Sequence, residues 1–300
     1  MPANILWKAL HYLDELTHQA SRHATMSNAY QTILYALRDG VARITFNRPD
    51  KRNAMNPRLH DEMHALMEEV NADPAVRVVV LTGAGPAFCA GADIKEYFKE
   101  LEDKPAERDR VMRTAERWIW TLFARSPKPT ITMINGYCFG GGLLVVLASD
   151  VAIAGSNAVF GLPEINWGHV PGGAASKRTL EAMGVRQATY YALTGETFGP
   201  DLAERYGLIT RSVPQEGLAA EVDRVAAKMT EKSPQALQTT KEIYRNAAAM
   251  DDMQIHEYVN AKIDQLRVRD TGGMRAKGMV DFVDKKSFKP GRGVVRPSGE

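Results

Sequence analysis

Three strand-like runs, the first of them continuously apolar, constrain the fold of this chain more than any other feature. They are RVVVLTG at 77–83, PTITMI at 129–134 and VAIAG at 151–155. Continuous apolar strands, as opposed to alternating ones, are typical of a sheet that crossover helices cover on both faces. The sequence therefore predicts an α/β core built around buried strands.

The segments on either side of these runs complete the predicted architecture. Two β-rich runs, YQTILYAL and GVARITF, are separated by Arg38, Asp39 and Gly40, which predicts a hairpin with an Asp-Gly turn. Apolar residues recur at helical spacing from Pro57 onward, and Pro74 is expected to end that helix. Beyond residue 173 the strand signals fade, and the predicted helices are 173–183, 186–193, 200–206, 216–231, 235–249 and 253–268.

This pattern divides the chain into three parts. Residues 1–25 form an N-terminal extension with the spacing of one extra amphipathic helix, residues 26–215 form the α/β core, and residues 216–300 form a helical C-terminal region with a tail.

Composition excludes several classes of function. The 38 basic and 36 acidic residues are interspersed and give a net charge of +2, which provides no field for nucleic acid or an acidic membrane. No run approaches the roughly 20 apolar residues of a membrane span. Two cysteines cannot build a disulfide framework. A soluble protein of the cytoplasm is therefore expected.

The first candidate site is the loop FCAGADIKEY, which directly follows the strand RVVVLTG. The small residues Ala90, Gly91 and Ala92 allow a ligand to approach the backbone closely, so main-chain N–H groups become available as donors. A plain tight turn is the alternative interpretation.

The second candidate is NGYCFGGG at 135–142, between the strand PTITMI and the apolar helix LLVVLAS. Consecutive glycines at a strand-to-helix junction leave free N–H groups at a helix N-terminus, where developing negative charge is favoured. A nucleotide phosphate loop is the rival interpretation, but no Lys-Ser or Lys-Thr follows the glycines.

The third candidate is Glu164, a carboxylate within the apolar segment FGLPEINWGHVPGG. Apolar surroundings raise the pKa of a carboxyl group, which suits it to act as a base and an acid near neutral pH. The alternative is a glutamate paired with a lysine or an arginine.

Other conspicuous residues favour structural roles. His60 and His64 lie four apart on a predicted helix, but HDEMH lacks the order of a metalloprotease motif, so a solvated helix face and no metal site are expected. Cys89 and Cys138 are expected to be small buried residues. The two tryptophans of RWIW, Trp118 and Trp120, are expected in the core or at an interface.

Together, RPDKRNAM, AGAD, NGYCFGGG and FGLPEINWG resemble the enoyl-CoA hydratase/isomerase, or crotonase, superfamily over about residues 30–290. The resemblance implies an α/β crotonase fold, a spiral of ββα units with a helical C-terminal trimerisation region. It also implies an acyl-CoA substrate and a homotrimer or dimer of trimers. Coenzyme A enters as the thioester substrate, and no other cofactor is implied.

A narrower resemblance is to the hydroxycinnamoyl-CoA hydratase-lyases, carried by DIKEYF, RWIW, GYCFGGG, EINWG, YYALTGETFG, AKIDQ and GMVDFVDKKSFKPG. It implies hydration of a feruloyl-CoA or 4-coumaroyl-CoA double bond, followed by retro-aldol cleavage to an aromatic aldehyde and acetyl-CoA. A plain hydratase or isomerase, and a non-catalytic binding protein of the same fold, remain the alternatives.

The same resemblance assigns roles to individual residues. The amides of Ala92 and Gly141 would form an oxyanion hole, Glu164 would be the acid and base, and Tyr97 would bind the para oxygen of the aromatic ring. Lys51 resembles a contact to a CoA phosphate. The CoA and acyl site would be lined by Ala90, Ile94, Pro163 and Trp167.

Two positions depart from the relatives. Hydratases with two carboxylates have a glutamate, and the hydratase-lyases a serine, where this chain has Leu144, which cannot orient water. A tyrosine that contacts the phenol in those lyases is replaced by Asn260, with Tyr258 two residues earlier. Leu144 and Asn260 are both predicted to lie at the substrate.

Overall fold

The computed structural model describes residues 25–27 and 30–286. The strands are β1 (Thr25–Ser27), β2 (Ile33–Arg38), β3 (Val41–Phe46), β4 (Val78–Gly83), β5 (Ala87–Cys89), β6 (Thr130–Ile134), β7 (Tyr137–Phe139), β8 (Val151–Gly155), β9 (Val159–Gly161), β10 (Thr197–Phe198) and β11 (Arg211–Val213). A seven-stranded sheet has the strand order β1-β2-β3-β4-β6-β8-β11, and a four-stranded sheet has the order β10-β9-β7-β5.

Ten α-helices are described between and after these strands. They are α1 (Pro57–Ala72), α2 (Pro105–Glu116), α3 (Gly141–Ala148), α4 (Ala175–Met183), α5 (Val185–Thr194), α6 (Pro200–Arg205), α7 (Leu218–Thr230), α8 (Pro234–Ala247), α9 (Asp252–Arg269) and α10 (Met274–Met279). All six helices predicted beyond residue 173 are present, whereas α10 and the strands β10 and β11 were not predicted.

The chain repeats one unit three times. A long strand of the large sheet (β4, β6 or β8) is followed by a three-residue strand of the small sheet (β5, β7 or β9) and then by helical structure. The strands β5, β7 and β9 pair in parallel, as do β4, β6 and β8. This arrangement confirms the predicted spiral of ββα units.

The buried strand β4 shows how both faces of the large sheet are covered. Val79 and Leu81 belong to the main core cluster, whereas Val78 and Val80 pack into a second cluster that includes residues of α7. Every residue of β4 is buried. A strand with apolar residues on both faces needs a packed layer on each side, as the uninterrupted apolar run predicted.

Local turn and cap signals fix the N-terminal elements. Asp39 and Gly40 both have positive φ, at 51° and 75°, and they join β2 directly to β3. Two residues with positive φ are the requirement of a type I′ hairpin turn, so the predicted Asp-Gly hairpin is confirmed. The helix α1 begins at Pro57 behind an Asn56 cap that accepts the Leu59 amide, and it ends before Pro74.

The histidine prediction on α1 is wrong for His60. Its side chain is only 3% exposed, its ring packs against Tyr97 and Trp118, and its Nδ1 accepts a hydrogen bond from Trp118 Nε1 at 3.0 Å. Burial lowers the pKa of His60 to about 4, so the ring is neutral. The apolar stripe of α1 is wide enough to include His60, which spacing alone did not reveal.

The remaining structural expectations have different outcomes. Cys89 and Cys138 are both fully buried, as predicted, and burial raises the pKa of the Cys89 thiol to about 12. Trp118 lies in the core. The predicted helix within residues 1–25 and the tail from residue 289 lie outside the described residues, apart from Thr25 at the start of β1. The division into three parts stays a prediction.

Candidate active site

The three predicted site segments begin where neighbouring strands of the small sheet end. Ala90 follows β5, Gly140 follows β7, and the turn that carries Glu164 begins shortly after β9. Because β5, β7 and β9 are adjacent and parallel, their carboxyl ends deliver all three segments to one edge of that sheet. Ligand sites of α/β proteins commonly lie beyond the carboxyl ends of parallel strands.

The two glycine loops touch so closely that side chains are excluded. A Cβ added to Gly91 would lie 3.0 Å from the Phe139 carbonyl oxygen and 3.3 Å from the Gly141 amide nitrogen. One added to Gly142 would lie 2.4 Å from the Cys89 carbonyl oxygen. Gly91 also has a φ of +95°, which L residues rarely adopt. Glycine at 91 and 142 is therefore a steric requirement of the junction.

The amides of Ala92 and Gly141 are free and adjacent. Met55 donates to the Gly91 carbonyl at 2.7 Å and accepts from the Asp93 amide at 2.9 Å, so the N–H of Ala92 between them points away from Met55. Gly141 is the first residue of α3, where amides lack an intrahelical acceptor. Neither amide has an acceptor within residues 25–27 and 30–286. Two free N–H groups at one point can bind an oxyanion.

Glu164 lies against this pair of loops. Its Oε1 is 2.6 Å from the position that a Cβ on Gly140 would take, and its Oε2 is buried with no hydrogen-bond partner in the described part of the chain. Burial raises the pKa of Glu164, while its own backbone amide and His169 act in the opposite direction. A carboxyl group with one unpaired buried oxygen can accept and return a proton.

Charged and amide side chains anchor the first loop. Arg48 donates to Asp93 at 2.9 Å and to Glu96 at 2.7 Å, and Asn56 also donates to Glu96. Asp93 in turn caps the short π-helix Ile94–Lys99 by accepting two of its first amides. These contacts fix the backbone that presents the Ala92 amide. Arg48 and Asn56 were not predicted to have a role, although both lie in or beside RPDKRNAM.

Four predicted acyl-site residues lie on two short helical segments that contact each other. Ile94 and Tyr97 are on Ile94–Lys99, and Pro163 and Trp167 are on the 3-10 helix Pro163–Trp167. The rings of Phe98 and Trp167 are 5.4 Å apart and join the two segments. Ile94 and Trp167 are 56% and 41% exposed, which leaves apolar surface available to a ligand.

Three further predicted residues lie around the loops. Lys51 is exposed at the end of the 3-10 helix Pro49–Lys51, and the adjacent Arg52 carbonyl accepts a hydrogen bond from the Ala90 amide at 3.0 Å. Leu144 lies one turn into α3, and its Cδ1 is 3.3 Å from the position that a Cβ on Gly173 would take. The Leu144 side chain thus faces the loop that follows Glu164.

Asn260 is not brought to these loops by any described contact. It is exposed on α9, which packs against α8. Tyr258 on the same helix accepts a hydrogen bond from Asn246 at 3.0 Å and lies beneath the Lys262 ammonium. Both side chains therefore lie outside the cluster formed by Ala92, Gly141 and Glu164.

Two features are absent from the described residues. No helix within them is long and apolar enough to cross a membrane. The same residues contain no group of three or more histidine, cysteine or acidic side chains placed to hold a metal ion.

Comparison with known protein families agrees with the fold and with this arrangement of two free amides and a carboxylate. The family model described as enoyl-CoA hydratase/isomerase matches residues 36–291. The chain therefore belongs to the enoyl-CoA hydratase/isomerase, or crotonase, family, and the predicted resemblance is confirmed.

Individual relatives narrow the resemblance. The hydroxycinnamoyl-CoA hydratase-lyase of Pseudomonas fluorescens is 43% identical over 269 residues, which cover 89% of this chain and 98% of that protein. The mevalonyl-coenzyme A hydratase of Aspergillus fumigatus is 32% identical and covers 82% of this chain and 89% of its own length. The crystal structure of an enoyl-CoA hydratase from Bacillus anthracis is similar with a TM-score of 0.77 at 30% identity, covering 85% of this chain and 97% of that one.

Proposed function

We propose that the chain hydrates a 4-hydroxycinnamoyl-CoA thioester, such as feruloyl-CoA or 4-coumaroyl-CoA, and cleaves the adduct to an aromatic aldehyde and acetyl-CoA. The observation that supports the chemistry best is the unpaired, buried Oε2 of Glu164 beside the free amides of Ala92 and Gly141. The similarity to the hydratase-lyase of Pseudomonas fluorescens supports the substrate class.

In the hydration step, the thioester oxygen accepts hydrogen bonds from Ala92 and Gly141. Glu164 removes a proton from water as the water oxygen bonds to the β-carbon, and the electron pair of the double bond moves to give an enolate. Glu164 then returns the proton to the α-carbon. Each aligned oxyanion donor contributes about 3 to 4 kcal/mol to stabilising such a species.

In the cleavage step, Glu164 removes the proton of the new β-hydroxyl group. The bond between the α- and β-carbons breaks, the β-carbon becomes the aldehyde, and the electron pair stays on the α-carbon as the acetyl-CoA enolate. The same two amides stabilise this enolate, and Glu164 protonates it. Every proton in the scheme moves through one carboxyl group, so the scheme uses no metal or redox cofactor.

The same proposal assigns the binding roles. Tyr97 contacts the para oxygen of the ring, and Lys51 contacts a CoA phosphate. Leu144 packs beside the acyl group. The walls of the CoA and acyl site are Ala90, Ile94, Pro163 and Trp167.

A plain hydratase or isomerase is the second candidate function, and Leu144 favours the isomerase, because moving a double bond consumes no water. The Leu144 side chain cannot hydrogen-bond to water at the position where relatives place a glutamate or a serine. Several relatives with more than 30% identity are hydratases, including the mevalonyl-coenzyme A hydratase.

The deciding experiment follows the purified chain with feruloyl-CoA and 4-coumaroyl-CoA and quantifies the products by mass spectrometry. Equal amounts of aldehyde and acetyl-CoA are expected. A β-hydroxyacyl-CoA that accumulates without aldehyde would identify a hydratase. No turnover of either thioester would contradict the proposed substrate class.

The proposed assembly is a homotrimer or a dimer of trimers formed through the C-terminal helices. Large apolar side chains are exposed on α9, among them Met253 at 77% and Val268 at 82%, and an interface would remove them from water. Asn260 is exposed on the same helix, so its contribution to the site depends on the assembly. Mass photometry is expected to show three or six copies, and a monomer would contradict the proposal.

A further inference from the structure

A continuous series of aromatic rings connects the core to the segment that carries Glu164. His60 and Tyr97 lie 5.9 Å apart, Tyr97 and Phe98 lie 5.1 Å apart, and Phe98 lies 5.4 Å from Trp167 and 5.0 Å from His169. Each of these neighbouring pairs is edge-to-face, a favoured geometry for aromatic rings. We call these five residues the ring series.

The inner end of the ring series is fixed in the core. His60 is buried and neutral, and the Trp118 indole N–H donates to its Nδ1 at 3.0 Å. Trp118 is itself fully buried. The face of His60 that packs against Tyr97 is therefore held by a hydrogen bond as well as by packing.

The outer end of the ring series belongs to the turn that carries Glu164. Trp167 and His169 stack with their ring centres 4.8 Å apart, and the His169 amide donates to the Glu164 carbonyl at 3.0 Å. Phe98 contacts both rings. No hydrogen bond or ion pair between described residues joins 94–99 to 163–169. The two segments are therefore connected by ring contacts and not by polar contacts.

Tyr97, at the middle of the ring series, has a hydroxyl group available to a ligand. That hydroxyl makes no hydrogen bond to any described residue. Burial raises the pKa of Tyr97, so the hydroxyl keeps its proton at neutral pH and can donate it to an oxygen of a ligand.

We infer that the ring series positions the Tyr97 hydroxyl relative to the Glu164 carboxylate and thereby makes the site selective for acyl groups that carry a para oxygen. Phe98 is the central positioning residue because it alone among the five contacts Tyr97 on one side and Trp167 and His169 on the other. The inference rests on the proposed function. It adds two positions, Phe98 and His169, that control the fit of the aromatic substrate without contacting the reacting atoms.

The test compares 4-coumaroyl-CoA with cinnamoyl-CoA, which lacks the para hydroxyl group. The measured quantity is the ratio of the two kcat/KM values. In Phe98→Leu this ratio is expected to fall on the order of tenfold, towards the value of Tyr97→Phe, because the hydrogen bond to the para oxygen is lost. Phe98→Tyr keeps a ring at this position and is expected to keep the ratio.

A second pair of variants keeps the test informative if Phe98→Leu folds poorly. His169→Ala removes the outer ring at a partly exposed position, whereas His169→Phe keeps a ring there. The ratio is expected to fall in the first and to persist in the second. Tyr244→Leu is the matched control, because it removes an exposed ring on α8 that is outside the ring series.

The possible failures are distinguishable. If the wild type converts both thioesters with a large ratio and the ring-deleting variants lower both rates equally, the positioning role is overturned and the proposed function stands. A wild-type ratio near one would also overturn it. If the wild type converts neither thioester, the proposed function fails and the inference fails with it.

Discussion

Two carboxylates beside the same loops, Asp93 and Glu164, have opposite environments. Asp93 accepts hydrogen bonds from the amides of Lys95 and Glu96 and from the Arg48 guanidinium. Burial acts to raise the pKa of Asp93, but these donors together lower it. Glu164 has a buried oxygen without a partner among the described residues, and burial raises the pKa of this carboxyl group.

This difference separates a structural carboxylate from the one proposed to be catalytic. A carboxylate whose lone pairs are all engaged gains stability from ionisation and has no capacity left for substrate. When a buried carboxylate has few hydrogen-bond donors, its ionised form is destabilised and its pKa rises. Such a group can exchange protons near neutral pH. The number of hydrogen-bond donors around each carboxylate distinguishes Asp93 from Glu164 more than their positions do.

The largest expected effect comes from Glu164→Gln. Turnover of every acyl-CoA that the wild type converts should fall on the order of 10³-fold, because the amide cannot accept a proton from water. The free energy of unfolding should change by less than about 1 kcal/mol, since no donor among the described residues pairs with the buried Oε2 of Glu164. Steady-state kinetics and urea unfolding check the two parts. Near-normal turnover would remove Glu164 from the mechanism.

The converse result is expected for Asp93→Asn. The substitution leaves the buried Arg48 with Glu96 as its remaining acidic partner, and the free energy of unfolding should fall by about 3 kcal/mol. Urea unfolding at neutral pH measures the loss. Asp109→Asn, in an exposed ion pair on α2, is the matched control and should change stability little. If Asp93→Asn is no less stable than Glu164→Gln, the contrast between the two carboxylates is wrong.

His60 extends the comparison to a group that is paired in its neutral form. The unfolded chain binds a proton at this histidine below about pH 6.5, whereas the folded chain does so only below about 4. Between these values the unfolded state holds more protons, so stability falls as the pH falls. From about pH 7 to about pH 4.5 the wild type should lose roughly 2 kcal/mol more than His60→Asn does. Equal losses by urea unfolding would contradict a buried neutral His60.

The smallest expected effect is a shift in the pH profile, and it tests whether Glu164 is the base. The positive charge of His169 acts to lower the pKa of Glu164, so His169→Gln should raise that pKa further. Because the ionised carboxylate is the base, the acidic limb of the pH profile of kcat/KM should move to higher pH. Lys177→Gln on exposed α4 serves as the control. A limb that stays in place, or moves to lower pH, would indicate that another group controls it.

The long elements of the fold were predictable because their signals are local. The apolar runs that became β4, β6 and β8, the Asp-Gly turn after β2 and the cap and proline around α1 each act within a few residues. The strands β5, β7 and β9 were missed. Three residues are too few to show a period, and these strands form only because their partners are brought alongside by the large sheet.

The site residues likewise divide into those that the sequence could predict and those that it could not. The glycine loops and Glu164 could be predicted because each motif has an unusual composition in a known order. Phe98, His169 and Asn56 carried no distinguishing signal, since a phenylalanine, a histidine and an asparagine near a motif are ordinary residues. His60 was placed on the wrong surface because helical spacing does not report how far around α1 the core extends.

The sequence by itself determined the long buried strands, six of the helices after residue 173, the family and the residues that could carry acyl-CoA chemistry. The tertiary structure decided that, within the described part of the chain, the amides of Ala92 and Gly141 have no acceptor and one oxygen of Glu164 has no donor. It also decided that Asp93 is hydrogen-bonded and that rings link Tyr97 to the Glu164 turn. These outcomes depend on parallel pairing between segments tens of residues apart. Strand pairing decides which neighbours surround each amide and carboxylate, and therefore which of these groups find a hydrogen-bond partner.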